Sequence, residues 1–160
     1  MRLYLVQHGD AVPEEVDPER PLSATGRRDV EAVARLLASK STCAARVAHS
    51  GKLRAQQTAE LLAAALAPGM VSENMTGLSP NDPVELVARS IAEWTSDMML
   101  VGHLPFMGKL VARLVAGDER KPIAAFVPGT VVCLEQGEAG HWAISWMVRP
   151  ELARSRTEQA

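Results

Sequence analysis

The sequence predicts an α/β protein, a three-layer α/β/α sandwich whose mostly parallel sheet ends in an antiparallel C-terminal hairpin. Three observations carry this reading. Short apolar runs of β type alternate with stretches of helical periodicity, the pattern of a parallel sheet with helices on both faces. The runs are nearly continuous in apolar residues, as strands buried on both sides require. The last two runs are joined directly across residues 137–140, which makes an antiparallel hairpin the simplest pairing.

Each element follows from its residues in order. The first run, residues 2–7 (RLYLVQ), stops at Gly9, is too short for a helix, and reads as a central strand. Val30, Val33, Ala34 and Leu37 then repeat at i, i+3, i+4, i+7, after a cap at either Ser23 or Thr25. Residues 45–49 (ARVAH) form a second strand. Thr58, Leu61, Leu62 and Ala65 mark the next apolar helix stripe, which Pro68-Gly69 stops. Asp82-Pro83-Val84-Glu85 reads as a capping box with Pro at the first helical position, and Val84, Val87, Ile91 and Trp94 supply its stripe. Residues 98–102 (MMLVG) are a further strand. A helix follows from near Pro105, packing through Phe106, Leu110, Val111 and Leu114 and ending near Gly117. Residues 130–135 and 142–147 complete the sheet as the hairpin.

The 160 residues suit one domain, taken as 1–152, with a polar tail at 153–160 that frays beyond about Leu152. The net charge of −2 gives no nucleic-acid or membrane footprint, so any anion site must be local. No apolar run reaches the roughly 18 residues of a membrane span, and the start MRLYLVQHGD lacks the pattern of a signal peptide. Cys43 and Cys133 are far apart, without CxxC spacing, and read as two reduced thiols of a cytoplasmic protein. The four histidines show no HxH, HExxH or His/Cys spacing, so no metal is expected.

In open α/β sheets, ligands sit beyond the carboxyl ends of the strands. That rule sorts the polar residues. His8 follows the first strand, Ser50 and Arg54 the second, and His103 the strand MMLVG. Residues spread over about 95 positions can therefore meet in one pocket. Two histidines and an arginine in one place suit phosphoryl transfer. A neutral imidazole is a good nucleophile toward phosphorus, a second histidine, if protonated, can donate to a phosphoryl oxygen, and an arginine grips phosphate through its planar fork. Gly9 allows close backbone approach to a ligand. Taken singly, each residue has a plainer reading: His8 and His103 as hydrogen-bonded strand-end histidines, Arg54 as a solvated charge at a helix start. His49, at a strand end next to Ser50, reads as structural, with a role supporting the site from behind as its alternative, and His141 reads as solvent-exposed in the hairpin turn.

In order along the chain, QHGDA (7–11), RPLSATG (20–26), SGKLRAQQTAE (50–60), VGHLP (101–105) and WMVRP (146–150) resemble the motifs of the histidine phosphatase superfamily, the phosphoglycerate-mutase-like group. The resemblance is strongest to its small bacterial phosphohistidine phosphatases of the SixA type. It spans essentially the whole chain and leaves no room for the large insertions of the mutases. It implies a phosphoglycerate-mutase-like fold, His8 as the phosphorylated nucleophile, and Arg54 and His103 as catalytic, phosphoryl-binding residues. It implies no metal or organic cofactor. Arg20 falls where SixA-type proteins carry a basic residue, so it is expected at the pocket rim, with plain surface charge as its alternative. Gly9 and Ser50 join the expected phosphate-binding set, Ser50 with a helix cap as its alternative role.

One position departs from the family pattern. Gln7 stands where an arginine is normal, and keeps an N–H donor while losing the charge and the fork. Without that neighbouring cation, His8 is expected to titrate near the ordinary 6.5 or so. The general acid is open among Asp10, Asp82 and Glu85, although an imidazole leaving group needs one less than an alkoxide does. The first functional expectation is a cytoplasmic phosphatase acting on a phosphohistidine-containing protein, such as a phosphotransfer domain or a phosphotransferase-system component. The small chain should leave an open pocket that also takes phosphate or other oxyanions. A phosphatase of a small phosphorylated metabolite, and a catalytically weak phosphoprotein-binding module in which Gln7 marks decay, are the alternatives.

Overall fold

In the computed structural model, residues 1–155 are described. Their element order is β1 (Arg2–Gln7), α1 (Ala24–Ser39), β2 (Arg46–His49), α2 (Leu53–Leu66), β3 (Glu73–Asn74), α3 (Val84–Ala92), β4 (Met98–Gly102), α4 (Phe106–Ala116), β5 (Val131–Gln136), β6 (Trp142–Val148) and α5 (Pro150–Ala153). The strands form one sheet in the order β3-β2-β4-β1-β5-β6. From β3 to β1 the neighbours run parallel. β5 runs antiparallel to β1, and β6 to β5. The expected α/β/α architecture with its C-terminal hairpin is the observed one.

The reason lies in the strand sequences. Every side chain of β4, and all but the first of β1, is buried, so both faces of these strands need a covering layer. Tyr4 and Val6 face a core shared with Val30, Val33 and Leu37 of α1 and Ala59, Leu62 and Ala63 of α2. Leu3 and Leu5 face the opposite core, with Val87 and Ile91 of α3 and Phe106, Met107 and Leu110 of α4.

Local details settle one open alternative and otherwise depart from the expectations. Ser23, not Thr25, caps α1: its Oγ accepts the Gly26 N–H at 2.9 Å. The capping box expected at residues 82–85 does not form. α3 begins at Val84, Pro83 occupies the cap position without a side-chain bond, and the Asp82 carboxylate instead accepts the Ser79 N–H at 2.8 Å. Trp94 lies beyond the end of that helix but still packs on the core. Two short elements carry no sequence signal, the two-residue β3 and the one-turn α5. The chain continues in place past Leu152: Ala153 packs on the α1/α2 core, and Arg154 makes a forked pair with Asp29 at 2.8 and 2.7 Å. The tail expected at 153–160 thus includes three described residues; 156–160 lie outside the described part.

The topology places the ends of β1, β2 and β4 side by side. Gln7 pairs with Gly102 and His49 with Val101. The His8 N–H donates to the Gly102 carbonyl at 2.9 Å, and Gly129 N–H donates to the carbonyls of Gln7 and His8. The residue after β1 is therefore held on two sides before its side chain is considered.

Candidate active site

His8 leaves the end of β1 with its ring half turned back on its own backbone. Its Nδ1 lies 2.7 Å from the Gly9 carbonyl, which can only accept, so Nδ1 carries the proton. Nε2 then holds the lone pair, and the Arg54 Nε–H donates to it at 3.2 Å. The His103 ring, from the end of β4, lies with its centre 4.9 Å from that of His8, inclined by 58°. Ser50, at the end of β2, places its hydroxyl 2.6 Å from His103 Nε2. Three strand ends thus deliver His8, His103, Ser50 and Arg54 to one place, as the carboxyl-end rule required.

Electrostatics set the protonation states. His8 is pushed down to about 4, mainly by burial; the Gly9 carbonyl opposes this, and the Arg54 and Arg20 guanidiniums add to it. The expectation that His8 would titrate near its ordinary value is therefore overturned. Removing one arginine at position 7 leaves burial and two other cations at work. His103 falls to about 3 through burial, His8, Arg54, Lys52 and Arg20. It is neutral near pH 7 rather than a ready-made cation. Arg54 itself is held below its usual value by burial and by Arg20. The site is a neutral imidazole pair rimmed by cations.

Arg20 reaches this field from the loop before α1. Its backbone is left-handed, with φ of 49°, and its Nε–H donates to the Val12 carbonyl at 3.2 Å. A non-glycine residue in that region is uncommon and stores strain where it occurs. Gln7 is buried, and its Oε1 has no hydrogen-bond partner among the described residues. Ser50 does not cap α2: Lys52 stands at the cap position, without a side-chain bond, while Ser50 touches His103. Gly9 is packed tightly against its neighbours. Its N–H is taken by Thr58 Oγ1 at 3.1 Å, and a Cβ there would come within 2.8 Å of Val30.

Thr58 and Gln57 are the residues whose work the helical pattern concealed. Thr58, placed by periodicity in an apolar stripe, is fully buried and donates its hydroxyl to the Arg54 carbonyl at 2.7 Å. It thereby ties α2 to the backbone beside His8. Gln57 Oε1 accepts the Leu22 N–H at 2.8 Å and anchors the loop behind Arg20. Both lie inside the segment SGKLRAQQTAE, so the motif was the available signal. Of the carboxylates considered as general acids, Asp10 alone acts on His8; it accepts the Ser23 hydroxyl at 2.6 Å. Glu85 is occupied by Arg113 and Arg89, and Asp82 by Ser79. Among the described residues no cluster of three His, Cys, Asp or Glu side chains could hold a metal ion, and no helix is long and apolar enough to cross a membrane.

Residues 3–78 match the model of the histidine phosphatase superfamily (branch 1), a span that holds Gln7, His8, Arg20, Ser50 and Arg54 but ends before His103. The chain is 29% identical over 155 residues to the phosphohistidine phosphatase SixA of Escherichia coli (strain K12), covering 94% of each protein. It is 31% identical over 125 residues to an uncharacterised protein of Picosynechococcus sp., covering 74% of this chain and 75% of that protein. The solved structure of the protein histidine phosphatase SixA complexed with tungstate superposes with a TM-score of 0.84 at 27% identity, over 96% of this chain and all of that one.

Proposed function

The chain belongs to the histidine phosphatase superfamily and is a hydrolase, and from that premise we propose that it removes the phosphoryl group from a phosphohistidine in a partner protein. The observation that carries the reading is the polarity of His8. Nδ1–H is spent on the Gly9 carbonyl, so Nε2 keeps its lone pair and turns it toward Arg54.

In the first step Nε2 of His8 attacks phosphorus, the bond from phosphorus to the substrate imidazole breaks, and that imidazole leaves with the bonding pair. It departs more readily when already protonated, which lessens the demand for a general acid. To Asp10, the one candidate carboxylate that acts on His8, we assign the supply of a proton where one is needed. In the second step water attacks the phosphoryl group on His8, releasing inorganic phosphate and the neutral imidazole. Arg54 and Arg20 offset the charge on the equatorial oxygens, and Gln7 contributes an uncharged donor. His103, neutral in the free protein, becomes easier to protonate when a phosphoryl dianion lies beside it, since an opposite charge favours the charged form.

The test is to incubate the protein with a phosphohistidine-bearing phosphotransfer protein, an aryl phosphate and several sugar phosphates. The expected result is fastest turnover of the phosphoprotein, acid-labile label trapped on the enzyme, and loss of both in His8→Ala. Faster turnover of a sugar phosphate would overturn the substrate class. Binding of the phosphoprotein without turnover would mark a recognition module, and turnover surviving His8→Ala would remove the proposed nucleophile.

A further inference from the structure

We propose that His49 is a positioning residue of this site: its ring holds the amide of Gly51 and so fixes the turn that presents Ser50 to His103 and starts the helix carrying Arg54. The inference rests on the phosphoryl-transfer reading of His8, Arg54 and His103.

The backbone up to Ser50 is held by the sheet. The His49 carbonyl accepts the Met75 N–H at 2.9 Å, and the Ser50 N–H donates to the Val101 carbonyl at 3.2 Å. At Gly51 the chain turns away with φ of +86°. Its N–H donates to His49 Nδ1 at 3.1 Å. On its other side a Cβ would lie 3.0 Å from Asn74 Oδ1, so the turn is wedged between the imidazole and the Asn74 amide. One residue later, the Lys52 carbonyl accepts the N–H groups of Ala55 and Gln56 and opens α2, with Arg54 in its first turn. Ser50, between the sheet and this turn, is the residue 2.6 Å from His103. A shift of Gly51 therefore moves the partner of one phosphoryl-binding residue and the helix start that carries another.

The role demands a specific tautomer. Nδ1 must be bare to accept, so the proton sits on Nε2 and the ring is neutral. Protonation of Nδ1 would set two donors face to face. His49 is only 6% exposed, and this burial lowers its affinity for a proton, with Glu60 acting the other way.

Asparagine places its amide oxygen close to where Nδ1 lies, whereas glutamine carries its amide out to the position of Nε2. The experiment compares His49→Asn and His49→Gln with the wild type, using the phosphohistidine protein and an aryl phosphate as substrates and tungstate as an inert oxyanion for calorimetry. His49→Asn should stay within about twofold of wild type, while His49→Gln should lose about tenfold in kcat with little change in KM, because displaced positioning groups act mainly on the transition state. Tungstate affinity should weaken in the Gln variant alone. A Gln variant indistinguishable from wild type, or an Asn variant impaired as much as Gln, overturns the proposal. A variant-free check is the ring ¹⁵N spectrum at neutral pH: a proton on Nε2 supports the role and a proton on Nδ1 overturns it. A wild type that turns over no phosphoryl substrate, yet shows the Asn/Gln difference toward tungstate, would overturn the phosphatase reading and support the positioning role.

Discussion

Gln7 and His8 show how two adjacent residues answer to different forces. The loss of arginine at position 7 removes charge from the site, but the proton affinity of His8 is set first by its burial and then by Arg54 and Arg20. Gln7→Arg should therefore leave the acid limb of the pH–rate profile below pH ~5, because His8 already sits near 4. It should instead raise kcat/KM by at least about tenfold, as expected for restoring one preorganised donor where such groups contribute about 10²–10³. Steady-state rates on the aryl phosphate from pH 5 to 8 decide the matter. An unchanged rate would mean that Arg20 and Arg54 already neutralise the phosphoryl group between them.

At the scale of elements, the site depends on how closely α1 and α2 approach the segment after β1. At Gly26 a Cβ would lie 2.0 Å from the Asp10 carbonyl, so α1 can seat beside the His8 loop only with glycine there. Thr58 performs the matching service for α2, bonding Gly9 on one side and Arg54 on the other. Thr58→Val preserves the shape and deletes both bonds, leaving the buried Gly9 N–H unpaired. It should cost about 1–3 kcal/mol of stability by urea unfolding. It should also lower kcat more than it raises KM, since Arg54 and the His8 backbone lose their common tie. A variant as stable and as active as wild type would show that the hydroxyl is idle.

For the whole molecule, the notable property is that three histidines are held uncharged, His49 and His103 buried and His8 half-buried. His8, His49 and His103 all bind protons less readily in the folded chain than in the unfolded one, where the value is about 6.5. The unfolded state therefore binds more protons as the pH falls through 6.5, and stability must decrease with it. For His8 the loss proceeds down to about 4, and for His103 to about 3. The carboxylates held low by arginine partners, Glu85 and Glu135 among them, add their own loss only below about 4.5. Urea midpoints should thus be level from pH 8 to 7 and fall between 6.5 and 4.5, with His49→Asn reducing the fall. A midpoint that stays constant down to pH 5 would contradict the neutral state of these rings.

The architecture was legible because burial on both faces leaves a continuous apolar signature. β1 and β4 were readable to the residue, and the direction of β5 and β6 followed from their short connection. The convergence of His8, Arg54 and His103 was legible for a related reason: each follows a strand, and parallel strands place such positions along one edge. Some features could not be read from spacing. The bond from Gly9 to Thr58, the Asp82 carboxylate turning to Ser79 rather than to its helix, and the grip of His49 on Gly51 join partners whose meeting depends on how the elements pack. The proton affinity of His8 belongs with them. The sequence by itself determined which residues reach the site, since strand order and chain direction follow from local pattern. Only the tertiary structure decided their charge states and their partners, because desolvation and hydrogen-bond geometry depend on what the rest of the chain places around them.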